Sequence, residues 1–171
     1  MLRGRGATEA AARSGHAVAT RFVLLDDRIL DIGDGLLAGD TQVSALGRAD
    51  EEPVSVPVTS RSAATRPPMP VHAKARLRHD GSLELGWVRR ARGFWTWQDG
   101  ISAPLMEEFE RYEVGVGNPT SPLILQSTNA PTITLSSELL SDIAGGGPHP
   151  VWVRQVGSYA LSDPLLLTIL S

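Results

Sequence analysis

Two stretches of strict alternation, separated by a long connection, constrain the fold of this chain more than any other feature. Every second residue is apolar between positions 83 and 87 and again between positions 112 and 116. The alternating residues are Leu83, Leu85 and Trp87, then Tyr112, Val114 and Val116. Successive side chains of a β-strand point to opposite faces, so this pattern indicates two strands with one buried face each. Half-buried strands are typical of antiparallel sheets.

Further strand patterns follow one another from residue 71 onward, at the spacing of a β-sandwich. They cover residues 71–77, 123–125, 132–135, 151–155 and 165–170, with a helical turn predicted at residues 137–143. No segment between these strand patterns has the sequence pattern of the crossover helix in a βαβ unit. A strand with a core Trp, followed by a strand reading Tyr-x-Val-x-Val, is typical of a fibronectin type III-like sandwich. The predicted fold is all-β, with an antiparallel sandwich of that type at residues 71–171 and Trp87 in its core.

The sequence of the N-terminal third predicts a smaller structural unit. Its strand patterns are residues 21–25, 29–32, 41–46 and 54–58, after a helical turn at residues 10–13. We expect residues 1–58 to form a partial β-unit, because so short a segment cannot bury a large core. Residues 59–70 contain three prolines among small polar residues, which favours an extended, solvated linker.

Composition and charge exclude several functional classes. The chain has no Cys, which excludes disulfide bonds, thiolate metal sites and thiol catalysis. Its formal net charge of -3 argues against a nucleic-acid binder, which usually shows a basic surface. We expect the basic residues between 74 and 92 to pair with the acidic residues between 107 and 113 instead. No apolar run approaches the roughly 20 residues that span a bilayer, so no membrane insertion is predicted.

No grouping of residues predicts catalysis or a cofactor site. The 4 histidines stand far apart, and the aspartates between residues 26 and 34 lack the spacing of a calcium-binding loop. No Ser lies in a G-x-S-x-G turn, and Gly145–Gly147 lack the G-K-[ST] of a phosphate-binding loop. We therefore expect a protein that is not an enzyme and that holds no metal ion or other cofactor.

The connection between the two opening strands carries the candidate contact residues. Phe94, Trp95 and Trp97 stand close to Arg90 and Arg92 in the sequence. Aromatic rings in such a loop either pack on the edge of the sandwich or stack on a sugar ring, a base or a partner surface. Both alternatives are open, and these five residues form the predicted site for a ligand or partner.

This part of the chain also resembles a known family. The order W-x-R-R-x-R, an aromatic-rich loop and P-L-x-E-E-x-E-x-Y-x-V is similar to the C-terminal module of the tail hub proteins of phage-like gene transfer agents and related siphophages, also called host specificity proteins. The matching residues are Trp87, Arg89, Arg90, Arg92, Pro104, Leu105, Glu107, Glu108, Glu110, Tyr112 and Val114. The upstream matches, in the same order as in the family, are Leu2–Glu9, His16–Ala17, Arg21–Asp26 and Pro70–Ala75.

The resemblance implies a structural or adhesion module of a phage-like tail tip, which acts in tail assembly or host-surface attachment. Its partners are then other tail-tip subunits, or a glycan or protein of the host-cell surface. Its location is the tail particle, after assembly in the bacterial cytoplasm. The family proteins are much longer, and this chain starts inside the matching region, which implies a truncated prophage remnant, a split gene product or an excised fragment. The alternative function is a free-standing β-sandwich that binds carbohydrate or protein through the loop aromatics.

Overall fold

The computed structural model divides the chain into two compact units, Met1–Thr65 and Arg66–Ser171. The boundary falls inside the predicted linker at residues 59–70. The described strands of both units pair antiparallel. The residues that the structure describes are 9–21, 24, 27, 40–59, 65–93, 100, 103–143 and 146–170.

The described residues of the first unit form a short helix and a β-hairpin. They are helix α1 (Glu9–Ser14), strand β1 (Asp40–Ala45) and strand β2 (Val54–Thr59). The two strands pair antiparallel over their whole length, which confirms the strands predicted at residues 41–46 and 54–58. The helical turn predicted at residues 10–13 is confirmed as well. The strands predicted within residues 21–32 lie outside the described residues, apart from Arg21, Leu24 and Asp27.

The second unit is a sandwich of two antiparallel sheets. The strands of the first sheet, in spatial order, are β3 (Val71–Leu77), β4 (Leu83–Val88) and β7 (Thr132–Leu135). Those of the second are β6 (Ser121–Thr128), β5 (Tyr112–Asn118), β8 (His149–Gln155) and β9 (Leu165–Leu170). A short helix, α2 (Ser137–Ser141), follows β7. The chain crosses between the sheets as in a fibronectin type III-like sandwich, so the predicted fold class and its seven predicted strands are confirmed.

The hydrophobic core lies between the two sheets. Its buried side chains are Leu83, Leu85, Trp87 and Leu135 from the three-stranded sheet, and Tyr112, Val114, Val116, Val151, Val153 and Leu167 from the four-stranded sheet. Trp87 is only 5% exposed, and its ring meets that of Tyr112 edge-on, with 5.1 Å between ring centroids. Such edge-to-face pairs stabilise a core beyond the area that they bury. The prediction that Trp87 packs in the core is confirmed.

A second tryptophan is buried on the outer face of the four-stranded sheet. Trp152 lies flat over Gly115, where a Cβ atom would overlap its ring. Its Nε1 donates a hydrogen bond of 2.9 Å to the carbonyl oxygen of Gly117. The guanidinium of Arg154 covers the ring at 5.2 Å from its centroid and pairs with Glu113 at 2.7 Å. Gly115 therefore makes room for a ring that the alternation of β8 assigns to solvent, and Gly117 supplies the carbonyl oxygen that accepts its hydrogen bond.

The end of the predicted linker belongs to the sandwich, which corrects one expectation. Pro67, Pro68 and Pro70 are buried rather than solvated. Arg66 anchors this segment, because its Nε donates to the carbonyl oxygen of Leu161 at 2.8 Å and its guanidinium pairs with Asp163 at 2.6 Å. Proline has no N–H group, so a proline-rich segment outside any strand can be buried without leaving many backbone donors unsatisfied. Composition alone indicated an extended chain but not whether a surface covers it.

Candidate functional site

Three connections of the sandwich emerge at one end, which we call the loop end. Strands β4, β6 and β8 finish there, and strands β5, β7 and β9 start there. The connections are residues 89–111, 129–131 and 156–164. The first is by far the longest, and it contains all five residues predicted to contact a ligand or partner. Loops on a rigid β-scaffold are common places for binding residues.

A buried ion pair joins the two limbs of the long connection. The Nε of Arg92 donates to Oε1 of Glu107 at 2.7 Å, and the guanidinium also donates to the carbonyl oxygen of Met106. The Glu107 side chain is fully buried, and that of Arg92 is 19% exposed. Charges removed from water in this way stay in place only when they are paired and hydrogen-bonded. The pair therefore holds residues 92 and 107 together.

The same carboxylate ties the long connection to the connection between β8 and β9. Oε2 of Glu107 accepts a hydrogen bond of 2.7 Å from the backbone N–H of Ser158. In return, the backbone N–H of Glu108 donates to the hydroxyl of Ser158 at 2.9 Å. Both oxygens of the buried carboxylate are thus used, one on each of two connections. Ser158 was not among the predicted residues, and its distance of about 50 positions along the chain from Glu107 leaves no local signal.

A second, more exposed brace lies closer to the sheets. Arg89 donates to the carbonyl oxygen of Ala103 at 3.0 Å and approaches Glu110 at 3.8 Å. The hydroxyl of Tyr112 donates to Glu110 at 2.8 Å. Burial of the phenol and its hydrogen bond to this carboxylate raise the pKa of Tyr112 above its usual range. The two braces hold both described limbs of the connection against the core.

The structure assigns different roles to the predicted contact residues. Arg92 is a bracing residue, since its guanidinium is occupied by Glu107 and Met106. Arg90 is half-buried. Phe94, Trp95 and Trp97 lie outside the described residues, so their contact with a ligand or partner stays a prediction.

The expected pairing of basic residues with the acidic residues between 107 and 113 is confirmed for two arginines, and a third arginine pairs with a different carboxylate. Arg89 and Arg92 pair with carboxylates of the acidic run, as described above. Arg78 pairs with Glu84 of the neighbouring strand at 3.1 Å. At least three of the six Lys and Arg residues between positions 74 and 92 thus pair with carboxylates of their own chain.

Within the part of the chain that the structure describes, His, Asp and Glu form no group of three or more that could hold a metal ion. Among these same residues, no helix has both the length and the apolar character needed to cross a bilayer. Two buried polar groups at the loop end, Nε1 of Trp87 and the side-chain amide of Gln155, have no hydrogen-bond partner among the described residues.

No known protein family and no curated protein matches this chain. Among solved structures, the chain is similar to domains d3-d4 of the extracellular region of rat CD45, with 11% identity and a TM-score of 0.42 over 92% of this chain and 78% of that chain. It is also similar to a structure of titin kinase and its flanking domains, with 18% identity and a TM-score of 0.41. That match covers 63% of this chain and 17% of the titin chain. The fold assignment therefore rests on the strand order of the sandwich itself.

Proposed function

We propose that the chain is a non-enzymatic structural or adhesion module of a phage-like tail tip, the C-terminal part of a baseplate hub. Its motifs follow the order found in tail hub proteins, from residue 2 to residue 114. The observation that supports this proposal best is the double bracing of the long connection at the loop end. A stabilised loop on a β-sandwich suits attachment, because less conformational freedom is lost when a partner binds.

The bracing supports a division of roles between the arginines and the aromatic residues of the connection. Arg89 and Arg92 hold carboxylates and carbonyl groups of their own chain. The contact role therefore belongs to Phe94, Trp95 and Trp97, whose rings offer large area at low entropic cost. The partner is another tail-tip subunit or a glycan or protein of the host-cell surface, and the site of action is the tail particle.

The test is whether the native polypeptide travels with particles. Antibodies raised against the sandwich unit, Arg66–Ser171, would be used to detect the protein in cleared culture fluid separated on a density gradient. We expect the signal to sediment with tail-bearing particles, in a polypeptide far above 18.3 kDa. A species of 18.3 kDa that stays at the top of the gradient would contradict the tail-tip proposal.

A second candidate function is a free-standing sandwich that binds carbohydrate or protein through the same rings. The ion pairs of Arg89 and Arg92 favour this function. Because these two guanidinium groups already have partners, a ligand would be held by stacking on the aromatic rings rather than by these charges. Changing Trp95 and Trp97 together to Ala should abolish binding to surface polysaccharide and leave Tm within a few degrees. Leu123→Ala is the control, since this exposed side chain lies on a strand rather than at the loop end.

Two results would count against this second function. Binding that survives the double Trp variant would show that the rings do not contact the ligand. A loss of several kcal/mol in the free energy of unfolding would show that the rings pack within the protein, as large-to-small core changes do.

A further inference from the structure

Strand β3 is an edge strand whose outer side is open. It is the first strand of the order β3-β4-β7, and no described strand other than β4 pairs with it. Its register is irregular between Val71 and Lys74, where His72 has a positive φ of 54°. From Lys74 to Leu77 the pairing with β4 is regular. An edge of this kind presents unpaired backbone N–H and C=O groups to which another extended chain can pair.

The core-facing side of this edge is apolar and uncovered. Ala75 lies opposite Leu85, and Leu77 lies opposite Leu83. Leu83 and Leu85 are buried, at 5% and 0% exposure, whereas Leu77 is 69% exposed. Strand β9 of the other sheet also approaches β3, but Leu77 stays largely exposed, so the apolar face of the three-stranded sheet continues to an edge that is exposed at this residue. An added strand would cover this row.

The other side of the edge carries two positive charges for which no described residue supplies a counter-ion. Lys74 lies opposite Gly86, which has no side chain, and Arg76 lies opposite Glu84, which is taken by Arg78. No described residue forms an ion pair with Lys74 or Arg76. Five other arginines of the sandwich each have a carboxylate partner: Arg66, Arg78, Arg89, Arg92 and Arg154.

A groove runs along the face on which the two charges stand. Its volume is about 320 Å³, and the residues that line it are Lys74, Ala75, Arg76, Glu84, Leu85, Gly86 and Thr132. Gly86, which lines the groove, has no side chain to fill it. Because Glu84 already accepts two hydrogen-bonding contacts from Arg78, at 3.3 and 3.1 Å, the free charge beside the groove is positive.

We infer that β3 binds, by strand addition, an extended segment in which acidic and apolar residues alternate. Side chains directly opposite each other on neighbouring strands share one face of the sheet. The acidic residues would then lie beside Lys74 and Arg76, and the apolar residues beside Ala75 and Leu77. Backbone hydrogen bonds give such complexes affinity, and the alternating side chains give them specificity. The two free charges also repel a basic strand, which restricts the choice of partner.

The test uses the full chain and three peptides of equal length. One peptide alternates Glu and Val, the second alternates Lys and Val, and the third has the composition of the first with its Glu residues in one block. We expect the Glu/Val peptide alone to shift the backbone amide resonances of Lys74, Ala75, Arg76 and Leu77 in NMR titrations at low salt. N-methylation of alternate residues along one edge of this peptide should abolish binding, and methylation along its other edge should not.

Charge reversal tests the two basic residues. Changing Lys74 and Arg76 together to Glu should weaken binding of the Glu/Val peptide at least about fivefold, since two cross-strand pairs turn from attractive to repulsive. The control reverses the same number of charges at Arg48 and Arg111, which are exposed and lie off this edge, and should leave the affinity unchanged. If the Arg76 change impairs folding beside Glu84, Lys74→Glu alone serves, because Gly86 opposite it has no side chain to repel.

Three outcomes would overturn the inference. Equal binding of the blocked-sequence peptide, or an equal loss in the control variant, would mean that any acidic chain is attracted by net charge. Binding that survives methylation along the first edge and also methylation along the second would exclude strand pairing. Absence of binding by the Glu/Val peptide would mean that Lys74 and Arg76 only protect an exposed edge from pairing.

Discussion

The hairpin of the first unit and the sandwich of the second share one sequence pattern but differ in burial. In β2, Val54 and Val56 alternate with polar or small residues, and they are 68% and 55% exposed. In β4, Leu83 and Leu85 alternate in the same way, and they are 5% and 0% exposed. Both patterns correctly predicted strands. The difference shows that alternation indicates the strand, whereas burial depends on a second layer.

The physical reason lies in what each strand has opposite its apolar face. The side chains of β4 meet those of β5 and β8 across the sandwich. The hairpin has two strands, and no other described strand pairs with it. A two-stranded ribbon by itself is marginally stable in water. We therefore expect the free energy of unfolding of this protein to depend on the sandwich more than on the hairpin.

The largest effect is expected from Leu85→Ala. This fully buried side chain lies in the middle of the core, so its truncation should lower the free energy of unfolding of the sandwich by about 4 kcal/mol. All four tryptophans lie after residue 66 and are kept, so denaturation followed by Trp fluorescence reports on the sandwich. Val88→Ala on the same strand is the control: Val88 is 46% exposed, and its loss should cost less than about 1 kcal/mol. Equal losses in both variants would contradict the assigned faces of β4.

The second effect concerns the bracing of the loop end. Arg92→Ala leaves the buried carboxylate of Glu107 without its counter-charge, so we expect a loss of about 3 kcal/mol. Arg78→Ala is the matched control, because its pair with Glu84 is exposed and should contribute less than about 1 kcal/mol. Urea denaturation of both variants measures the difference. A small effect of Arg92→Ala would mean that Glu107 is held by Ser158 alone.

Much of the sandwich was predictable from the sequence, and the bracing of its loop end was not. Alternation indicated most strands from β3 to β9, because one buried face imposes a period of two, whereas short apolar runs indicated β6 and β9. The pairing of Arg92 with an acidic residue was expected in general terms, but Ser158 joins Glu107 only through the folding of distant segments. Burial of Trp152 was missed for the same reason. Its space comes from Gly115 on a neighbouring strand, which a pattern within β8 does not report.

The third-largest effect is expected where Gly115 leaves space for the ring of Trp152. Gly115→Ala places a methyl group against the ring of Trp152, which is fixed by its bond to Gly117 and by Arg154. We expect a loss of about 2 kcal/mol, as in overpacked cores, together with a change in near-UV circular dichroism. Gly86→Ala is the control, since a Cβ atom there meets its nearest neighbours at 3.9 Å, an ordinary contact. No difference between the two glycine variants would contradict the position of the Trp152 ring.

A smaller effect, of opposite sign, is expected at Gln155. Its side-chain amide is buried and has no hydrogen-bond partner among the described residues. Replacing an unpaired buried polar group by an apolar group of similar shape removes a desolvation cost, so Gln155→Met should raise the free energy of unfolding by about 1 kcal/mol. Thermal and urea denaturation would both detect it. A loss of stability would instead show that the amide is hydrogen-bonded in solution.

The smallest effect is expected in the hairpin, at Val56→Thr. Threonine keeps the β-branched shape that suits a strand, and Val56 is 55% exposed, so little transfer free energy is lost. We expect Tm of the sandwich to stay constant and the opening free energy of the hairpin amides, from hydrogen exchange, to change by less than about 0.5 kcal/mol. A larger change would mean that the valine face of β2 is covered in solution. Burial would then follow alternation in the hairpin as it does in β4, and the contrast between the two units would lie in stability alone.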